Sequence, residues 1–257
     1  MKYYDTHAHF NDEKFNGIVE EELQKCFDTG VDKINIIGYN TESSKIAIEL
    51  SNLYDELYAV IGVHPSDVGL STPEEIEELY NKYNNGKIVA IGEIGLDYYW
   101  VSDNKEEQKA LFIAQIDLAN KLKLPIVVHT RDASLDTYEI LKNHPAEYGT
   151  LLHCFSPTDD LVRLAIERGY YVAFGGNITY NRAKSFQGYM DRIPAEQIVL
   201  ETDSPYLPPV PLRGTLNSSK NLPIILEKLA QWKHMDAEEL GNIVYNNALR
   251  FFRLEEK

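Results

Sequence analysis

The chain alternates between short, nearly continuous apolar runs and longer segments with an apolar face recurring every three to four residues. The runs cover 3–9, 31–39, 57–64, 88–97, 125–130, 150–155, 170–175 and 198–203. They are rich in Val, Ile and Leu, as strands buried on both faces are. Between the first two, segment 13–29 sets Phe15, Ile18, Val19, Leu23, Cys26 and Phe27 on one side of a helix. The same periodicity predicts helices over 41–53, from Pro73 onward, and over 105–122, 132–142, 158–168, 184–191, 223–233 and 236–252. Thr41-Glu42-Ser43-Ser44 supplies a cap. Ser71-Thr72-Pro73-Glu74-Glu75 is a helix start, with proline in the first turn and acids behind it. Gly169 is placed to stop a helix.

Eight strands alternating with about as many helices predict one α/β domain over 1–257, a (β/α)8 TIM barrel. A doubly wound open sheet is the alternative. No Gly-x-Gly-x-x-Gly follows the first strand and there is no Walker motif, so nothing favours a nucleotide-binding version. The proline-rich stretch 204–221 reads as an irregular loop after the last strand, at the barrel mouth.

At 257 residues, 44% hydrophobic and 25% charged, the composition is that of a globular protein with a sizeable core. No apolar run approaches the ~20 residues of a membrane span. Met1-Lys2-Tyr3-Tyr4-Asp5 does not read as a secretory signal. Cys26 and Cys154 do not form a disulfide framework, so a reducing cytoplasm is expected. A net charge of −15 argues against a protein that coats nucleic acid or membrane through a broad basic surface. It leaves room for a phosphate-bearing substrate in a cleft where cations reverse the local sign. No obligate protein partner is evident, and monomer is the default.

In a parallel barrel, active-site residues come from the C-terminal ends of the strands. Here those ends carry His7 and His9, His64, Glu93 and Asp97, His129, His153, and Glu201-Thr202-Asp203. His7 and His9 stand two apart and so face one side of a strand. A lone His-x-His is more often ordinary than a ligand pair. Five of the seven histidines at strand ends are a stronger signal. His144 and His234 fall at helix ends and read as solvated or capping. Acids and neutral imidazoles crowded around one mouth call for a cation. The nitrogen and oxygen donors suit Zn²⁺, Mn²⁺ or a related ion, with Mg²⁺ at an oxygen-rich end. Glu93 is placed to bridge two ions ~3.5–4 Å apart.

His7-Ala8-His9, Gly62-Val63-His64-Pro65, Gly92-Glu93-Ile94-Gly95-Leu96-Asp97-Tyr98, Pro125-Ile126-Val127-Val128-His129-Thr130-Arg131, His153-Cys154-Phe155-Ser156 and Glu201-Thr202-Asp203-Ser204-Pro205-Tyr206 stand in that order. Together they resemble the TatD-like family of metal-dependent deoxyribonucleases, of the amidohydrolase-type barrels, over essentially the whole chain. The resemblance implies a distorted TIM barrel with two divalent ions. One would be bound by His7, His9, Glu93 and Asp203, the other by Glu93, His129 and His153. His64 would contact the substrate phosphate, and Arg213 would assist it. Asp203 would orient or deprotonate the attacking water. The family commonly has Arg-Gly followed by Asn-Glu-Pro after the last strand. Here Arg213, Gly214 and Asn217 remain, but Ser218-Ser219 replaces Glu-Pro. That departure bears on the loop, and on substrate selection, more than on metal chemistry. Asn217 is placed to cap the following helix.

The expected activity is hydrolysis of DNA phosphodiesters, as a 3′-5′ exonuclease, at single-stranded or frayed ends. Phe10, Tyr98, Tyr99, Trp100, Phe155 and Tyr206 are candidates to stack bases, with rim packing as the plain alternative for each. The runner-up is an amide or ester hydrolase, including an aminoacyl-tRNA deacylase, because metal-polarised carbonyl attack uses nearly the same ligands. A non-catalytic metal-binding scaffold is the third reading.

Overall fold

The strands are β1 (Tyr3–Ala8), β2 (Val31–Ile37), β3 (Leu57–Ile61), β4 (Ile88–Asp97), β5 (Ile126–Arg131), β6 (Thr150–Leu152), β7 (Tyr171–Phe174) and β8 (Ile198–Leu200). They pair in parallel and in sequence order, β1 through β8. This computed structural model describes residues 1–100 and 103–255. Every strand except the first is preceded by a helix, and the sheet curls into a (β/α)8 barrel. The helices are α1 (Val19–Asp28), α2 (Thr41–Ser51), α3 (Pro73–Tyr83), α4 (Lys105–Leu122), α5 (Ser134–Asn143), α6 (Asp159–Arg168), α7 (Gln187–Met190), α8 (Leu222–Lys233) and α9 (Ala237–Phe251). Among the described residues, none is long and apolar enough to cross a membrane.

All ten residues of β4 are buried, as a strand walled by the barrel interior and a helix layer requires. Inside the barrel, Ile37, Val60, Ala90, Val127, Leu151, Ala173 and Val199 form a small core with Tyr4, joined by Phe251 at the end of α9 and by Phe252 just after it. A larger core fills the space between the strands and the helices. The apolar face of α1 contributes Leu23 and Cys26 to it.

Local chemistry sets the helix starts. Thr72 and Glu75 form a reciprocal capping box ahead of Pro73. For α2 the cap is Asn40, one residue before the predicted start, paired with Ser43. Gly169 ends α6 at φ +66°. His144 and His234 are exposed and end α5 and α8. The single helix predicted over 13–29 is split. A 3-10 turn at Glu13–Phe15 precedes α1, and Gly17, at φ +79°, lies between them. The short helix predicted over 184–191 is mostly 3-10 (Asn181–Phe186) before the four residues of α7.

Several predicted strands stop two or three residues early, because their last residues turn out of the sheet to build the mouth. β6 ends at Leu152 and β8 at Leu200, ahead of His153 and Glu201. The ring closes between β8 and β1 at this same end. The backbone N–H of Asp203 donates to the His7 carbonyl at 2.9 Å, and that of His9 to the Ser204 carbonyl at 2.7 Å.

Asn217 does not cap a helix. It is buried and its amide donates to the carbonyls of Thr202 and Tyr206 at 2.9 and 2.6 Å, tying the proline-rich loop to the end of β8. Ser218 and Ser219 are buried as well. Ser218 Oγ lies 3.1 Å from Cys26 Sγ, and Ser219 Oγ donates to Asp5 at 2.6 Å. The departure at Ser218-Ser219 is thus an internal tie, and neither residue is among those lining the cavity at the barrel mouth.

A candidate metal centre at the barrel mouth

β4 carries Glu93 into the middle of the mouth, where it is 5% exposed. Its two oxygens face two sets of groups. Oε2 lies 3.5 Å from His7 Nε2 and 3.9 Å from His9 Nε2, and those nitrogens lie 3.8 and 3.4 Å from Asp203 Oδ1. Oε1 lies 2.8 Å from His129 Nδ1, 2.7 Å from His153 Nε2 and 3.8 Å from His64 Nε2. Among the described residues, three overlapping groups have ligand atoms within 4.8 Å of one another: His7, His9 and Glu93; His7, His153 and Asp203; His64, Glu93 and His129. The structure therefore brings together seven of the eight site residues predicted from sequence.

The other ring nitrogen of each histidine shows what the inward one offers. His9 Nδ1 lies 3.2 Å from the Ile37 carbonyl, which can only accept, so the lone pair is on Nε2 and faces the cluster. His129 Nε2 lies 3.0 Å from Asp97 Oδ2, leaving Nδ1 inward. His153 turns Nε2 inward, and its Nδ1 faces Glu201 Oε2 at 3.6 Å, too far for a hydrogen bond. Carboxylates and carbonyls behind imidazoles are the usual outer partners of metal-binding histidines. His7 is fully buried, and neither of its ring nitrogens has a hydrogen-bond partner. An orphaned imidazole amid carboxylates fits a cation, because such a group otherwise carries an unmatched desolvation cost.

His64 differs. Its Nδ1 accepts from the Ser66 backbone N–H at 3.1 Å, so a neutral ring carries its proton on Nε2, the nitrogen turned to the cluster. Burial, followed by the neighbouring His129, lowers its pKa to about 3, so the ring is neutral at physiological pH. His64 is built as a donor.

The charges support each other. Burial alone would raise the Glu93 carboxyl, but the imidazoles of His153, His64 and His7 outweigh it and hold it well below the usual carboxylate range. Burial similarly opposes ionisation of Asp203, and His9, His153 and His7 reverse that. At His153 burial disfavours the cation, and Glu93 and Glu201 override it strongly. His7 goes the other way, lowered by burial and then by His153. A cluster this dependent on opposite charge is suited to a divalent ion.

Above the cluster lies a cavity of about 940 Å³ lined by residues that include His9, Glu93, His129, His153 and Asp203. Its rim carries Tyr99, Trp100 and Tyr206, which are 55, 68 and 43% exposed. Of the other aromatic candidates, Phe10 and Phe155 are buried, stacked on Phe15 and set edge-on to Phe174, so they pack the core. Tyr98 is partly buried and donates to Asp136. Arg213 is not among the residues lining this cavity. It stacks 4.6 Å above the Tyr180 ring in an adjacent pocket. Among the described residues, an arginine that does line the cavity is Arg131, at the end of β5 and lying over Tyr99 and Trp100.

Sequence reasoning assigns no role to Glu201, Asp97 or Arg131, although each sits in a strand-end motif. Glu201 is fully buried and accepts from the Cys154 N–H at 2.6 Å while facing His153. A buried acid beside a strand-end ligand was the available signal.

A sequence model of the family described as TatD related DNase matches residues 4–253. A metal-dependent hydrolase of Bacillus subtilis strain 168, YabD, described as uncharacterized, is 37% identical over 252 residues, covering 98% of this chain and 99% of its own. The crystal structure of YjjV, a TatD homologue from Escherichia coli K12, superposes with a TM-score of 0.92 at 28% identity over 98% of both chains. A TatD-family hydrolase from Entamoeba histolytica gives 0.86 at 25% identity, again over 98% of both chains.

Proposed function

Because this chain belongs to the TatD-related DNase family, and is on that footing a metal-dependent hydrolase, we propose that it cleaves the phosphodiester bonds of DNA from a 3′ end, at single-stranded or frayed termini. The observation that carries this reading is the division of the histidines by their outer partners. His9 and His129 turn lone pairs inward, whereas His64 turns a donor inward. A neutral N–H donor can hold a non-bridging oxygen of a phosphodiester, as it can the oxyanion of an attacked carbonyl, and the family match favours the phosphodiester.

His7, His9, Glu93 and Asp203 would hold one divalent ion, and Glu93, His129 and His153 a second. Such ions lower the pKa of water and offset phosphate charge. The side chains do the rest. Asp203, held as carboxylate by its imidazole neighbours, accepts the proton of the attacking water. His64 Nε2–H donates to a phosphate oxygen, and the Ser66 N–H held by Nδ1 keeps the neutral ring in that tautomer. Asp97 fixes the ring of His129, and Glu201 places its charge behind His153. The exposed rings of Tyr99, Trp100 and Tyr206 supply base-stacking surface. Two free cysteines are consistent with work in a reducing cytoplasm.

The test uses chelated, dialysed protein with Mn²⁺, Zn²⁺ or Mg²⁺ returned separately, on 5′- and 3′-labelled oligonucleotides beside a panel of esters, amides and aminoacyl-tRNA. The expected result is loss of oligonucleotide cleavage on chelation, recovery with metal, and stepwise shortening from the 3′ end. Full activity after chelation overturns the metal role. Turnover of carbonyl substrates with no nuclease activity moves the assignment to the runner-up.

A further inference from the structure

Helix α4 turns an apolar face inward that includes Phe112, Ile116 and Ala119, yet the same face buries Gln108 and Gln115 completely. A buried amide in an apolar layer is costly unless its polar atoms are matched. Each of these amides is matched at two points by the backbone of a single residue. Gln115 Oε1 accepts from the N–H of Val63 at 2.8 Å, and its Nε2 donates to the Val63 carbonyl at 2.9 Å. Gln108 Oε1 accepts from the N–H of Asp97 at 2.9 Å, and its Nε2 donates to the Asp97 carbonyl at 3.0 Å. A backbone N–H only donates and a carbonyl only accepts, so each amide is held in one orientation.

Both clamps stand where the β-ladder has run out. β3 ends at Ile61, short of Val63. The pairing of β3 with β4 ends at Ile61 and Ile91, short of Asp97. The glutamines take the N–H and C=O groups that a neighbouring strand would otherwise take. Each clamped residue leads directly to the metal centre. Val63 is bonded to His64, whose Nε2 faces Glu93. Asp97 is itself the carboxylate behind His129, with Oδ2 3.0 Å from Nε2. Gln108 and Gln115 stand about two helical turns apart on one face, so a single rod spaces the two clamps by about 10 Å.

We infer that α4 sets the spacing of the metal centre, and that Gln115 and Gln108 are positioning residues with separable tasks. Gln115 holds the segment that presents His64, and so acts on a bound phosphate. Gln108 holds Asp97 against His129, and so acts on metal affinity. The Gln115 half rests on the reading of His64 as a phosphate donor. The Gln108 half is independent of which bond is cut.

The test uses the whole chain and two titrations, Mn²⁺ into metal-free protein and inorganic phosphate into metal-loaded protein. Gln108→Met, similar in shape but unable to clamp Asp97, should weaken metal binding by about 10–100-fold, as loss of an outer partner does. In an Asp97→Asn background the same change should have little further effect, because no carboxylate is left to misplace. Gln115→Met should leave metal affinity at the wild-type value and weaken phosphate binding by about tenfold, the order of one hydrogen bond to a charged group. That loss should vanish in a His64→Ala background. Both substitutions strand two buried backbone groups, so both should lower the melting temperature. A merely structural role also lowers it, but its losses would add to those of Asp97→Asn and His64→Ala. Where a methionine variant does not fold, Gln108→Glu or Gln115→Glu keeps the length and the acceptor, loses the donor, and should show the same couplings. Additive losses, equal effects of both variants on metal and phosphate, or unchanged affinities overturn the inference. If both couplings hold while no oligonucleotide is cleaved, the phosphodiesterase reading fails and the positioning roles stand.

Discussion

The N–H of Asp203 donates to the carbonyl of His7 at 2.9 Å, so two residues assigned to one metal position are joined through their backbones at the seam that closes the barrel. Beneath the seam, Asp5 serves as a common acceptor. Its carboxylate takes the N–H of Thr202 at 2.9 Å, the Thr202 hydroxyl at 2.5 Å, the Ser219 hydroxyl at 2.6 Å and the His7 N–H at 3.2 Å. Closure of the fold and placement of the ligands are the same set of bonds.

Asp5→Ala should therefore damage both. Each buried donor left without an acceptor costs about 1–3 kcal/mol, so a loss of about 3 kcal/mol or more is expected from several together. In a chain of this size that corresponds to about 6–12 °C in melting temperature. Calorimetry on the metal-free protein reads the stability, and a metal titration reads the ligand geometry. A variant that melts like wild type and binds metal normally would show that the seam does not depend on Asp5.

Glu201→Gln should separate charge from shape. The amide oxygen can still accept from Cys154 N–H, but the negative charge behind His153 is gone. Changes in such outer partners typically cost 10–100-fold in metal affinity. Loss in that range, with melting of the metal-free protein nearly unchanged, is the expected pattern. An unaltered affinity would remove Glu201 from the centre.

The strand runs and the polar residues ending them were legible because a parallel barrel imposes both, burying each strand on two faces and gathering its C-terminal ends. His7, His9, Glu93, His129, His153 and Asp203 all follow from that rule. Arg213 did not, because it lies in a loop, where no period ties sequence position to direction. Phe10 and Phe155 take the packing alternative rather than stacking, for a related reason. Adjacency to a ligand places a backbone, and the next side chain along can turn into the core, as both do. Asn217 has the residue type of a cap, but the buried carbonyls of Thr202 and Tyr206 claim its amide.

Cys26 gives a pH prediction remote from the centre. Burial raises its thiol from 9.0 to about 11, against a weaker opposing pull from the Ser218 contact. The unfolded chain loses that proton first, so between pH 9 and 11 it binds fewer protons than the folded one. Stability contributed at this site should fall as pH rises through that window and be flat below it. The native thiol should resist alkylation at pH 8–9, and Cys26→Ala should remove this part of the alkaline slope in urea unfolding. Rapid alkylation of native Cys26 at pH 8 would contradict the burial argument.

Gly95 should be the least replaceable of the glycines near the centre. It sits in β4 at φ +136°, and a Cβ there would lie 2.1 Å from the carbonyl oxygen of His129 on the neighbouring strand. Two penalties act together at this position. An L side chain is disfavoured at that φ, by about 1–2 kcal/mol, and the added carbon pushes on the strand that carries a metal ligand. Gly86, at φ +95° with nothing within 4 Å of where a Cβ would stand, isolates the first penalty. Gly86→Ala should lower stability by about 1 kcal/mol and leave metal affinity alone. Gly95→Ala should cost at least ~2 kcal/mol more, in the range of overpacked cores, and weaken metal binding through His129. Unfolding curves with a metal titration on both variants measure the difference. Equal losses would mean that the β4–β5 approach is looser than the 2.1 Å contact requires.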